Sequence, residues 1–282
     1  MIHSVFKYMP ARLEFFDNFL LRASNKSALN DPFEVRPSFE FWADLCLQHR
    51  YTRFGNTKKE IVAYLEQQKE GSVWSELGVS LYKDHGIISF TEEKDNLLMW
   101  SHYADEHRGM VIEFDTEHSF FNSDANYKLL PVMYRKSRLN KLGKHLMEPY
   151  FHKSNEWAYE KEHRLLLSLY EADTNLIATR NRAHFEQQKY ITESDVSEFD
   201  SAGNLLRVNT YFGASIVYDP KFMAMFRVPV DAIKSVSFGA AVDREFKYNV
   251  IERLRSKDLN HIKSYQARVD SSDYCLRFEH EI

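Results

Sequence analysis

The run Glu156-Trp157-Ala158-Tyr159-Glu160-Lys161-Glu162-His163-Arg164-Leu165-Leu166-Leu167 holds the residue types best suited to chemistry in this sequence. If it enters a strand, Glu160, Glu162 and Arg164 share one face, with same-side neighbours roughly 6–7 Å apart. Two carboxylates beside a guanidinium and two aromatic rings can hold one carboxylate ionised and oriented. Such a pair could stabilise a developing positive charge or accept a proton. The competing reading is a solvated strand edge carrying a surface ion pair.

A second group lies in ISFTEEKDNLLMWSHYADEHRG, which begins at Ile88. On a strand, the hydroxyls of Ser89 and Thr91 share a face and could hold a ribose or a carboxamide. On the helix that follows, Met99 and Trp100 lie about a turn from Tyr103. The plainer assignment puts Leu97, Trp100 and Ala104 in a core. His102 and His107 are five apart, a poor spacing for shared metal ligation on a helix, and no metal is expected. The third group is Lys7-Tyr8 near the start, where a lysine beside an aromatic ring could clamp a phosphate. Asn30-Asp31-Pro32-Phe33-Glu34 reads equally well as an ordinary turn.

These side chains need elements to position them. A strand is expected over Ser4–Tyr8, a helix over Leu13–Leu21 and another over Phe41–His49. Thr57 and Glu60 form a capping box for a further helix that should end at Gly71. The two helices of about 41–70 read as an insertion of mostly charged, solvated surface. Strands are expected at Gly86–Thr91 and Met110–Phe114, flanking a helix capped by Asp95 that runs to about His107. Further strands fall at Lys128–Tyr134, Glu162–Tyr170, Thr210–Tyr218 and Ile233–Phe238, with a polar stretch over Ala172–Asn204 and a helix over Arg244–Leu254. Many short strands and few long helices favour α+β over a doubly wound parallel sheet. No Pro/Gly/Ser-rich linker divides the chain, so residues 1–282 are expected to form one domain.

The chain has 282 residues, with 37 basic and 41 acidic side chains and a net charge of −4. That balance excludes a globally basic nucleic-acid coat and leaves room for a local basic patch. Arg135, Lys136, Arg138, Lys141 and Lys144, interleaved with Leu139 and Leu142, resemble an amphipathic helix with a solvated basic face. The nine glycines include no G-x-G pair, which excludes the dinucleotide fingerprint and the P-loop. The two cysteines, Cys46 and Cys275, exclude a disulfide scaffold and fit a reducing compartment. No apolar run nears the roughly 20 residues a bilayer span needs. A cytoplasmic protein without membrane contact is expected.

FKY at Phe6–Tyr8, LNDPFE at Leu29–Glu34, the block from Ile88 to Asp115, and NEWAYEKEHRLL from Asn155 resemble a bacterial family catalogued as domain of unknown function 2971. Their layout is similar to that of ADP-ribosyltransferases. In that fold a basic residue or histidine lies on the first strand, a Ser-x-Ser/Thr strand follows, and a Glu-x-Glu enters a later strand. The resemblance implies a mixed sheet core with an inserted helical segment. It implies NAD as substrate, with Glu162 the catalytic carboxylate and Glu160 orienting the acceptor or acting as base. By the same carry-over Lys7 or Tyr8 faces the pyrophosphate, Ser89 and Thr91 support the ribose, and Trp100 or Tyr103 stacks on the nicotinamide. Arg164 completes the cofactor-binding set. The implied activity is ADP-ribosyl transfer or NAD hydrolysis in toxin-like or phage-defence biology, with an acceptor macromolecule left open. The alternatives are an inactive module binding a nucleotide or a partner, and a nucleic-acid-acting defence protein.

Overall fold

A computed structural model describes residues 2–68, 82, 84–123, 127–200, 202–209, 214–257 and 259–281. Its strands are β1 (Ser4–Met9), β2 (Leu20–Asn25), β3 (His85–Thr91), β4 (Met110–Asp115), β5 (Asn122–Ser123) and β6 (Tyr127–Pro131). They continue as β7 (Met133–Arg135), β8 (His152–Ser154), β9 (Glu162–Ser168), β10 (Thr174–Ala178) and β11 (Val196–Glu198). The last are β12 (Leu205–Val208), β13 (Phe222–Arg227), β14 (Ile233–Phe238), β15 (Lys263–Val269) and β16 (Leu276–Glu281). Fourteen of them join one sheet in the order β11-β12-β10-β13-β2-β3-β1-β4-β14-β15-β16, and β9, β6 and β5 branch from β3. Among its described pairings only β14 with β15 is parallel, so the sheet is mixed. β7 and β8 form a separate parallel pair.

The branch at β3 matters most for function. One edge of β3 pairs with β9 along its whole length, from His85 opposite Ser168 to Thr91 opposite Glu162. The other edge meets β2 only at Gly86 and Ile87, and β1 only at Thr91. Residues 88–90 therefore lack a partner strand on that edge, and the sheet opens there between β1 and β2. Alternation assigns the two faces. Ile88, Phe90, Leu165 and Leu167 enter the main apolar core, while Ser89, Thr91, Glu162 and Arg164 lie on the opposite face.

A second core backs that opposite face. Helices Phe39–Gln48 and Lys58–Gln67 bury Phe41, Trp42, Cys46 and Ile61 completely, together with Tyr82 and Tyr150. The expected solvated insertion is thus corrected, because Phe41, Trp42, Leu45 and Cys46 form an apolar face that needs a partner surface. The Thr57–Glu60 capping box is present. The helix end expected at Gly71 lies outside the described residues.

Other boundaries shift for local reasons. The helix expected over Leu13–Leu21 shrinks to Phe15–Asn18, and Leu20–Asn25 instead pairs as β2 with β13 and β3. Asn96, not Asp95, caps the next helix by accepting from Leu98 N and Met99 N. That helix ends at Tyr103, since Asp105, Glu106 and His107 all have positive φ, at 47°, 52° and 68°. Gly109 follows where a Cβ would lie 2.3 Å from the Met9 carbonyl oxygen, so only glycine lets β1 pass that close. Leu97, expected in the core, is 36% exposed, while Ala104 is fully buried. The polar stretch 172–204 contains β10 and β11 and the helix Arg182–Gln187. Ala214–Val217 is helical rather than part of a strand, and the start of that expected strand, residues 210–213, lies outside the described residues. Residues 136–147 form no helix; Leu139, Leu142 and Leu146 instead lean on the second core.

Candidate functional site

A cavity of about 310 Å³ occupies the opening beside β3. Of the residues singled out from the sequence, Lys7, Tyr8, Ser89, Thr91, Tyr103, Glu160, Glu162 and Arg164 line it. They arrive from five elements, Glu160 from the 3-10 helix Asn155–Glu160. β1 carries Lys7, β3 carries Ser89 opposite Arg164, and β9 starts at Glu162 opposite Thr91. The helix Leu97–Tyr103 brings Tyr103.

The geometry expected for the Glu-x-Glu run is corrected in one respect. Glu160 does not lie on the strand but ends a 3-10 helix, Asn155–Glu160. Lys161 then takes the left-handed conformation, φ 42° and ψ 51°, and turns the chain into β9. That reversal lets both carboxylates reach one cation. Lys153 Nζ lies 2.6 Å from Glu160 Oε2, 3.2 Å from Glu162 Oε2 and 3.3 Å from Glu34 Oε1.

Arg164 closes the network. Its Nε donates to Glu162 Oε1 at 2.8 Å and its Nη2 to Glu162 Oε2 at 2.9 Å, a bidentate pair. Nη2 also pairs with Glu34, and Nη1 donates to the Tyr150 carbonyl at 2.6 Å. Arg164 is 1% exposed and Glu34, Lys153, Glu160 and Glu162 are all buried. Three carboxylates thus meet two cations in the protein interior. Burial opposes ionisation of Glu162, but Arg164 and Lys153 outweigh it and hold the carboxyl down at about 2. Burial pushes Glu34 the other way, above the ordinary carboxylate range, despite the same two cations.

The remaining polar groups order the carboxylates. Tyr103 donates its hydroxyl to Glu160 Oε1 at 2.6 Å, and the Tyr134 hydroxyl accepts from Glu162 N at 2.8 Å. Ser89 lies on the same face as Glu162 and helps to hold its carboxyl ionised. An ionised carboxylate has about four acceptor directions. Three of those of Glu162 are taken, by Arg164 twice and by Lys153, whereas Glu160 keeps one free direction on each oxygen. Lys7 Nζ donates to the Ser89 carbonyl at 2.8 Å, a group freed by the gap in pairing. Burial lowers Lys7 to about 8, partly offset by Glu162.

Four placements bear on the sequence expectations. Trp100 does not line the cavity: it is fully buried, edge-on to Tyr8 and stacked on His107, with Nε1 donating to the Lys94 carbonyl. Its expected role as a stacking platform is corrected, because no ring face is open to a ligand. Tyr8 gives its hydroxyl to the Glu93 carbonyl, so of the Lys7–Tyr8 pair only Lys7 carries a charge to the cavity. Arg164 spends its donors on Glu162, Glu34 and Tyr150, which makes it a positioning residue. His102 turns to Tyr159 and His107 to Trp100, and among the described residues no three His, Cys, Asp or Glu are grouped to hold a metal ion.

Lys153 was missed from the sequence, since a lone lysine in FHKSN has no local signal. Glu34 lay in a segment readable as a turn. Its loop is held by an unusual conformation: Val35, β-branched and buried, has φ 52°. That twist sends Glu34 inward while Phe33 stays exposed.

Mixed α and β structure with a large mixed sheet, split around a cavity of paired buried charges, is the class that fold and site define. Residues 99–165 match the model of a family described as a protein of unknown function, DUF2971. The matched window holds Tyr103, Lys153, Glu160, Glu162 and Arg164 and stops short of Lys7, Glu34 and Ser89. No curated protein and no solved structure matches the chain. No helix among the described residues is long and apolar enough to cross a membrane.

Proposed function

We propose that the chain consumes NAD, as an ADP-ribosyltransferase or an NAD glycohydrolase, in the cavity beside β3. One observation carries the reading: Lys7, Ser89, Glu160 and Glu162, which the resemblance draws from separate segments, line a single cavity where the sheet opens. The charge layout fits the substrate. The carboxylates of Glu160 and Glu162 suit the cationic nicotinamide ring, and Lys7 suits the pyrophosphate.

The bond that breaks joins nicotinamide to C1′ of the ribose. Its electron pair leaves with nicotinamide, and an oxocarbenium-like charge develops on the sugar, as in glycoside cleavage. Glu162 faces that charge and accepts from a ribose hydroxyl at its remaining acceptor direction. Glu160 takes the proton of the attacking water or acceptor through a free oxygen direction, while Tyr103 orients it. A nucleotide-binding module without turnover is the second reading, and the engagement of Glu162 by Arg164 and Lys153 favours it.

The test is nicotinamide release from NAD by wild type, Glu162→Gln and Glu160→Gln, with water, protein and nucleic-acid acceptors offered in turn. Release by wild type that falls about 100-fold or more in folded Glu162→Gln is the expected result. Stabilisation by NAD without release under any acceptor selects the binding module, and neither effect rejects both readings. Lys7 adds a pH signature. It is charged below about 8 and loses its proton above. NAD affinity is expected to fall as pH rises from 7 to 9.5, and in Lys7→Gln to be weaker and flat over that range.

A further inference from the structure

A second cavity, of about 330 Å³, backs onto the first and shares Glu34 and Lys153 with it. Its character is different. Arg135, at the end of β7, and Lys136 and Arg138, on the irregular segment that follows, line it, and none of the three is paired with a described carboxylate. The Arg138 guanidinium lies 5.5 Å from the centre of the Phe33 ring, which also lines the cavity and is 62% exposed.

Asp31 and His152 also line it, and each holds one buried polar atom. Asp31 Oδ1 accepts from Phe33 N at 2.8 Å, but Asp31 Oδ2 has no hydrogen-bond partner among the described residues. Neither has His152 Nδ1. A buried carboxylate oxygen without a donor is costly, and it matches a ligand that brings an N–H or O–H. Unpaired guanidinium and ammonium groups match a phosphate. An exposed ring beneath an arginine matches a flat heterocycle. A simple anion would leave Asp31 and Phe33 unused, and a chain of net charge −4 does not suit a long polyanion.

We infer that this cavity binds a nucleoside 5′-phosphate. The phosphate sits on Arg135, Lys136 and Arg138, the base lies against Phe33, and Asp31 accepts from a ribose hydroxyl or a base amine. The ligand can come as a free mononucleotide or as the phosphorylated end of a strand. The inference stands on residues outside the first cavity and does not require the NAD reading.

The experiment is calorimetric binding of AMP, a 5′-phosphorylated dinucleotide, adenosine and inorganic phosphate to the full chain. Arg135→Gln/Arg138→Gln and Phe33→Ala are measured in parallel, with melting temperatures as the folding control. AMP or dinucleotide binding that weakens about tenfold or more in each folded variant is expected, stacking on one ring being worth about that much. Equal affinity for the two ligands assigns the free nucleotide, and a dinucleotide about tenfold tighter assigns the strand end. Binding that ignores these variants places the nucleotide in the first cavity and overturns the inference. So does affinity for inorganic phosphate equal to that for AMP, or no binding at all.

Discussion

Arg164→Met is expected to lower the unfolding free energy by about 3–5 kcal/mol, the usual cost of removing one member of a buried ion pair. The surface ion pair that the sequence also allowed would cost under about 1 kcal/mol. The two outcomes separate cleanly by urea unfolding at pH 7. The large figure follows from what is left behind: Glu162 and Glu34 stay buried, with only Lys153 to offset them and Glu160. The variant should also change the acid limb. Glu162 is held at about 2 against an ordinary 4.5, so its contribution is complete above 4.5 and lost as pH falls from 4.5 towards 2. A shift of that size corresponds to about 3 kcal/mol. Arg164→Met is therefore expected to show a flatter stability loss across that window than the wild type. A variant within 1 kcal/mol of wild type, with an unchanged acid limb, would remove the network from the account of stability.

Trp100→Ala is expected to cost about 3–5 kcal/mol through the cavity it leaves. The ring touches Tyr8, His107 and Phe278, and its Nε1 supplies the hydrogen bond to Lys94. Trp100→Phe should keep most of the packing and lose mainly that hydrogen bond, at a cost of about 1 kcal/mol. Nucleotide affinity separates the core role from the stacking role. Folded Trp100→Phe should bind nucleotide like the wild type, whereas a stacking platform would show weakened binding without loss of stability.

The same residue shows where sequence reading reaches its limit. Trp100 and Tyr103 stand a turn apart on one helix, and spacing alone treats them alike. Only the packing of β16, through Phe278, covers one ring and leaves the other at the cavity. β2 fails for a related reason. Leu13, Phe16, Leu20 and Leu21 repeat at helical spacing, yet hydrogen bonds to β13 and β3 decide the outcome. Residues 136–147 have an amphipathic pattern without a helix, because the second core already offers a surface for Leu139 and Leu142.

What the sequence determined by itself was local. Apolar runs mark β3, β4, β9 and β14, and the Thr57–Glu60 box marks a helix start, because short-range hydrogen bonds and alternation are written into neighbouring residues. The residue types of the first cavity were legible for the same reason: Ser89 with Thr91, and Glu160 with Glu162, are close in the chain. The tertiary structure alone decided how the charges pair. Lys153 and Glu34 come from segments far from β3, and the left-handed turn at Lys161 aims two carboxylates at one ammonium. Ionisation state depends on which charges meet away from water, and no spacing along a chain records that meeting.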